Sequence, residues 1–335
     1  MNLIYSPTMM LTSMSLLMST LMALSSANWI LLWGAMELNL LSFIPIMMQT
    51  KNNQETEGSV KYFLAQALGS AILLTSSTAL WMPFSSMPNI MPTLLTTAIL
   101  LKLGSVPCHF WYPSVMASIS WMSCLILSTW QKLAPLSILA FILPQKNMQF
   151  IMVAAGVNAL VGGVMGMNQS QMRTVMAYSS IGHIGWMLSL MTMYKPYASI
   201  MYFTVYSALI APLFMSMSYF NIYSIKHMNK IPSSNMLVHL AMIILLMSLG
   251  GLPPLTGFMP KLMTIMLLTE TAKVVVFMLV MGSVMNLFYY LNIAISMMFS
   301  APNSITFSPS SNKIMKTFML TTATMSLGLS PLILL

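Results

Sequence analysis

The sequence predicts an all-α polytopic membrane protein, and three observations carry that prediction. Of 335 residues, 58% are hydrophobic and 5% charged, against roughly 25% charged in a soluble domain. Mean hydropathy is +0.83 over the whole chain, so no polar half stands apart as a soluble domain. The apolar runs are close to the ~20 residues that cross hydrocarbon as a helix, and they lack the period-two alternation of barrel strands. The net charge of +9 is spread as single basic residues between those runs, unlike the clustered footprint of a nucleic-acid binder. No nucleic-acid partner is expected.

Cut at its polar punctuation, the chain gives about eleven transmembrane helices, at approximately 8–26, 28–48, 60–81, 90–112, 116–143, 148–168, 173–193, 198–220, 236–268, 274–298 and 316–335. Asn28 separates the first from the second, and the stretch from Lys51 to Gly58 leads into the third. Pro83, Pro88 and Asn89 precede the fourth, and Pro113 and Ser114 the fifth. Pro144-Gln145-Lys146 and Asn168-Gln169 bound the sixth, while Lys195-Pro196 opens the eighth. The run from Lys226 to Asn235 precedes the ninth, Glu270 to Lys273 the tenth, and Pro302 to Lys316 the eleventh.

With the N-terminus inside, the inner loops hold Lys51, Lys61, Arg173, Lys226, Lys230, Lys313 and Lys316, and the outer loops Lys146, Lys195 and Lys273. Basic loops stay on the side of insertion, which favours this orientation.

Four charges lie within spans: Glu37 in the second, Lys102 in the fourth, Lys132 in the fifth and Lys261 in the ninth. Each costs at least ~2.5 to 3.5 kcal/mol at the bilayer centre, on the order of 10 kcal/mol together if unpaired. A low dielectric penalises whichever form of such a group is charged, and groups so poised take up and release protons. A proton relay is one reading of the four. The other is a single Glu–Lys pair fixing helix register, with the remaining lysines reaching to an interface.

Two spans are broken alike. Leu103-Gly104-Ser105-Val106-Pro107 and Leu249-Gly250-Gly251-Leu252-Pro253 share the pattern L-G-[SG]-[VL]-P at a separation of 146 residues. Gly and Pro unwind a helix at such a point, and unwound backbone survives at membrane depth only where protein or a hydrated cavity covers it. Matching broken helices indicate two inverted five-helix repeats, 1–145 and 146–300, with a C-terminal helix in 301–335 outside the symmetry. An odd number of helices per repeat is what inverts the second copy.

His109 follows the first break directly and His183 lies in the seventh span. An imidazole can shuttle protons, and it can equally be a hydrogen-bonded packing residue. Cys108 and Cys124 fit neither a zinc spacing nor a disulfide framework. Gly162, Gly163 and Gly166 give the small-residue spacing of a close helix crossing. No phosphate loop and no cluster of His and Cys for a metal or haem is present in the sequence.

Together these residues resemble the antiporter-like membrane subunits of respiratory complex I. The resemblance rests on Trp33 to Asn39, Lys102 to Trp111, Trp130-Gln131-Lys132, Ala177 to Trp186 with its Tyr-Ser-Ser-Ile-Gly-His core, and Gly250 to Lys261. Eleven spans match the shortened animal mitochondrial form of that family. The resemblance implies that Glu37 and Lys102 form a pair loosened by neighbouring subunits, that Lys102 then surrenders its proton towards Lys132, and that the charge continues along a hydrated row to Lys261 and the outside. It implies no cofactor in this chain, with NADH, FMN, iron-sulfur clusters and ubiquinone in other subunits. The implied partners are other membrane-arm subunits and membrane lipids such as cardiolipin.

The 41 methionines resemble the bias of animal mitochondrial gene products. The first basic residue is Lys51, so the start of the chain looks like neither a secretory signal nor a transit helix. The expectation is a chain inserted into the inner mitochondrial membrane from the matrix, with its N-terminus there. A cation/proton antiporter subunit of the multi-subunit kind, with the same fold and similar buried charges, is the alternative. A passive helical scaffold is a third class, disfavoured by the four charges.

Overall fold

The computed structural model of the chain describes residues 7–49, 52–81, 90–142, 148–228, 236–299 and 313–328, and among them every regular element is a helix. Lys51, Lys146 and Lys230, three of the residues used for orientation, lie outside the described residues. The chain divides into two compact units, Met1–Ala154 and Ala155–Leu335.

The first unit opens with α1 (Pro7–Ser25), α2 (Trp29–Met47) and α3 (Asn53–Trp81). The fourth span is split into α4 (Ile90–Leu103) and α5 (Trp111–Ser118), and the fifth into α6 (Trp121–Ser128) and α7 (Trp130–Ile142). Helix α8 (Met148–Met167) carries the chain from one unit to the next. The second unit continues with α9 (Met172–Thr192), α10 (Pro196–Tyr219) and the short α11 (Ile225–Met228). Its ninth span is split into α12 (Met236–Gly250) and α13 (Phe258–Leu268), followed by α14 (Lys273–Phe299) and α15 (Lys313–Gly328). These are the eleven expected segments, with the fourth and ninth broken as expected, the fifth interrupted as well, and the third starting at Asn53 rather than near 60.

Seven helices are long and apolar enough to cross a membrane, and α4, α13 and most of α12 are the shorter apolar pieces that the breaks leave. Helix α9 is long enough, at about 31 Å for its length, yet carries Arg173, His183 and several serines. It is buried from Val175 almost without interruption to Thr192 and packs on α10, α13 and α14. Protein rather than lipid is its solvent. Gly162 and Gly163 of α8 give two close crossings: a Cβ on Gly162 would sit 2.7 Å from the Gly182 nitrogen of α9, and one on Gly163 2.9 Å from the Gly282 oxygen of α14.

The breaks share one local geometry, displaced by one residue from the sequence match. In the first, Gly104 has φ +70°, its N–H donates to the Leu101 oxygen, and the Ser105 N–H donates to the Leu100 oxygen. In the second it is Gly251 that has φ +85°, donating to Ser248, while Leu252 donates to Met247. Both are left-handed glycine caps that satisfy the last carbonyls of a helix. Gly104 therefore corresponds to Gly251 and not to Gly250, and helix α12 absorbs the extra glycine.

Two boundaries also differ from expectation. The second half of the fourth span runs on to Ser118, and the turn into the fifth falls at Ile119–Ser120, because the unwound residues 104–110 lengthen the path across the bilayer. The fifth span is itself interrupted at Thr129, whose hydroxyl donates to the Leu125 oxygen at 2.7 Å. The Leu125 oxygen also keeps its ladder bond from the Thr129 N–H, and Pro135 inside α7, which offers no N–H to the Gln131 carbonyl and crowds it, disturbs the turn that precedes it.

Candidate functional site

Lys102 ends α4 and Lys132 begins α7, just after the Thr129 interruption, so each break delivers a lysine to the interior. They are 6% and 2% exposed. Both line one cavity of the first unit together with Asn39, Tyr62, Gln66 and Gln131. It leaves about 20 Å³ in which a water can be centred, room for at least one molecule given a threshold of roughly 10–15 Å³.

The walls are mixed, with Met36, Leu40, Leu103, Leu127 and Pro135 beside the polar groups, and several of the polar groups are fixed by hydrogen bonds. The amides of Asn39 and Gln131, 92 positions apart, exchange hydrogen bonds at 2.9 and 3.1 Å. Gln66 donates from Nε2 to the Lys102 carbonyl at 3.2 Å. The Lys132 Nζ lies 5.2 Å from the centre of the Tyr112 ring, a cation–π distance. The Trp111 indole donates to the Leu101 oxygen at 3.0 Å, so the second half-helix ties down a carbonyl of the first. The cavity thus places two buried amines, three side-chain amides and the Tyr62 and Tyr112 rings around one water-sized space, with apolar side chains among them.

Glu37, on α2, is half-buried and does not line the cavity, although Met36 and Asn39 on either side of it do. Among the described residues the expected Glu37–Lys102 pair is not an ion pair within 4.0 Å, whereas Lys61 pairs with Glu57 at 2.6 Å. His109 sits in the first break, 5% exposed, its ring centre 4.2 Å from that of Phe110, and it does not line the cavity.

In the second unit Lys261 is 4% exposed and donates from Nζ to the Gly250 oxygen at 2.9 Å. A Cβ on Gly251 would meet that Nζ at 2.7 Å. His183 is 5% exposed, with Nδ1 2.8 Å from the Tyr202 hydroxyl and its ring centre 5.0 Å from that of Tyr206. These three residues border a smaller cavity whose other walls include Leu249, Gly257 and Pro260, on either side of the second break.

Of the residues expected from sequence, Lys102 and Lys132 thus line one cavity, Glu37 lies outside its lining, and Lys261 and His183 occupy sites of their own. Sequence reasoning assigned no role to Asn39, Gln66, Tyr62 or Gln131. The spacing of Tyr62 and Gln66, four residues apart in a membrane helix, was the available signal.

Comparison with known proteins agrees with this architecture. A family profile described as NADH:quinone oxidoreductase/Mrp antiporter, TM, matches residues 26–286. The NADH-ubiquinone oxidoreductase chain 2 of Lumbricus terrestris is 66% identical over 335 residues, 100% of each chain. A solved chain of respiratory complex I from Thermus thermophilus matches with a TM-score of 0.87 at 22% identity, over 97% of this chain and 78% of that one. A chain of the Mrp complex from Dietzia sp. matches with a TM-score of 0.81 at 16% identity, over 96% and 74%. Those two likenesses are of fold.

Proposed function

Because this chain belongs to the NADH-ubiquinone oxidoreductase chain 2 family, we propose that it is a core membrane-arm subunit of respiratory complex I in the mitochondrial inner membrane, moving protons while electrons pass through other subunits. The observation that carries the reading is the cavity shared by Lys102 and Lys132. Both amines open onto one enclosed space away from bulk water, so a proton leaving one has the other as an acceptor within the same enclosure. A water between them gives that proton a path.

Glu37 supplies the bias. While its carboxylate stands near Lys102 it holds the proton there, and a neighbouring subunit that draws Glu37 away releases the proton to Lys132. Lys261 and the His183–Tyr202 pair perform the corresponding step in the second unit. The fold likeness to the Mrp complex leaves antiport as the second reading, and the full-length identity to chain 2 favours the first.

The test uses the assembled complex in sealed vesicles, with complex abundance measured alongside. Lys102→Ala, Lys132→Ala and Glu37→Gln are expected to lower protons moved per NADH oxidised while the complex remains assembled. Full pumping in both lysine variants overturns the reading. Sodium-driven proton movement in vesicles without NADH establishes antiport instead.

A further inference from the structure

Glu55, set by its sequence at the edge of a loop, is an interior residue. It lies in the first turn of α3 and is 4% exposed. Glu57 and Lys61 on the same helix are 65% and 46% exposed and pair with each other. Helix α3 therefore meets water on one face of its first turns and turns Glu55 into the protein on the other. A helix N-terminus favours an acidic residue, exposed or buried.

From Glu55 the buried face of α3 continues through Ser59, Tyr62 and Gln66. Steps of four, three and four residues keep all of them on one side of a helix. Tyr62 and Gln66 are already in the wall of the cavity that holds Lys102 and Lys132. The facing wall is α5, which packs on α3. A Cβ on Gly58 would fall onto the Ser118 hydroxyl, so the helices approach closely between Glu55 and Tyr62, with a serine on each side. Ser59 donates to the Thr56 oxygen and Ser118 to the Val115 oxygen, and a hydroxyl that donates still accepts. Alanine would pack this face without the desolvation that buried polar groups incur. The four side chains thus mark a polar face about 16 Å long along the helix axis, from the first turn of α3 to the cavity, and water between such groups is what proton transfer along it requires.

We infer that the buried face of α3, from Glu55 through Ser59 and Tyr62 to Gln66, is the uptake route by which protons reach the Lys102–Lys132 cavity, with Glu55 the first acceptor. The Glu55 carboxylate takes a proton from water, passes it along hydroxyls and water to a neutral lysine amine, and returns to carboxylate. The inference rests on the function proposed above for that cavity.

The test compares Glu55→Gln, Glu55→Asp, Tyr62→Phe, Glu57→Gln and Lys102→Ala in the assembled complex in sealed vesicles. Proton pumping and NADH oxidation with the gradient collapsed are both recorded. Glu55→Gln is expected to cut pumping several-fold with uncoupled electron transfer retained, Glu55→Asp to restore most of it, and Tyr62→Phe to lower it even if Glu55→Gln fails to assemble. Glu57→Gln is expected to pump normally. Normal pumping in Glu55→Gln or in Tyr62→Phe, with loss in Lys102→Ala, overturns the route and leaves the function standing. Normal pumping in Lys102→Ala removes the function on which the route depends.

Discussion

The two broken helices solve one problem in two ways. Each ends its first half in a left-handed glycine, Gly104 or Gly251, and each places a buried lysine beside the break. At the first break the exposed helix carbonyls are met by a neutral group, the Trp111 indole bonding the Leu101 oxygen. Lys102 keeps its amine for the cavity. At the second break Lys261 does the capping itself, donating to the Gly250 oxygen. An ammonium at the carboxyl end of a helix is stabilised by the helix dipole. The first lysine thus leaves its amine to the cavity, whereas the second spends a hydrogen bond on the helix end.

This contrast can be broken at several points. The largest effect is expected at the first site: Lys132→Ala should reduce proton pumping at least about tenfold, the scale of losing a group that passes a proton, read as acidification per NADH in sealed vesicles. Next is Gly251→Ala, which forces a left-handed backbone onto an L residue at about 1–2 kcal/mol and drives a methyl against the Lys261 amine. Thermal stability and pumping should fall together. Gly104→Ala carries the same backbone cost, but its Cβ meets Tyr112 and Trp111, so stability should fall more than pumping. Trp111→Phe removes the Leu101 hydrogen bond, costing about 1 kcal/mol, and should be read by thermal unfolding of the complex. Lys61→Ala, which removes an exposed ion pair, should leave both stability and pumping unchanged.

Much of this was legible in the sequence because lipid makes charge conspicuous. Lys102, Lys132 and Lys261 stand out in apolar runs, and all three are buried. The Gly/Pro pattern located both breaks, yet it paired Gly104 with Gly250. Which of two adjacent glycines takes the left-handed conformation depends on how far α12 propagates, and tertiary packing decides that. The interruption at Thr129 had a signal that went unused, Pro135 six residues further on, whose effect falls on the turn before it. The Asn39–Gln131 pair joins residues 92 positions apart, beyond any local pattern. Glu55 looked like loop charge beside Glu57, and only the face of α3 on which each falls separates them.

The central claim is that Lys102 and Lys132 exchange a proton through water in the cavity they share. The assembled complex imaged at a resolution that reveals ordered water tests it most directly. An ordered water within hydrogen-bonding distance of both amines, bounded by Gln66 and the Asn39–Gln131 pair, is the predicted result. A dry cavity closed by apolar side chains between the two lysines contradicts it.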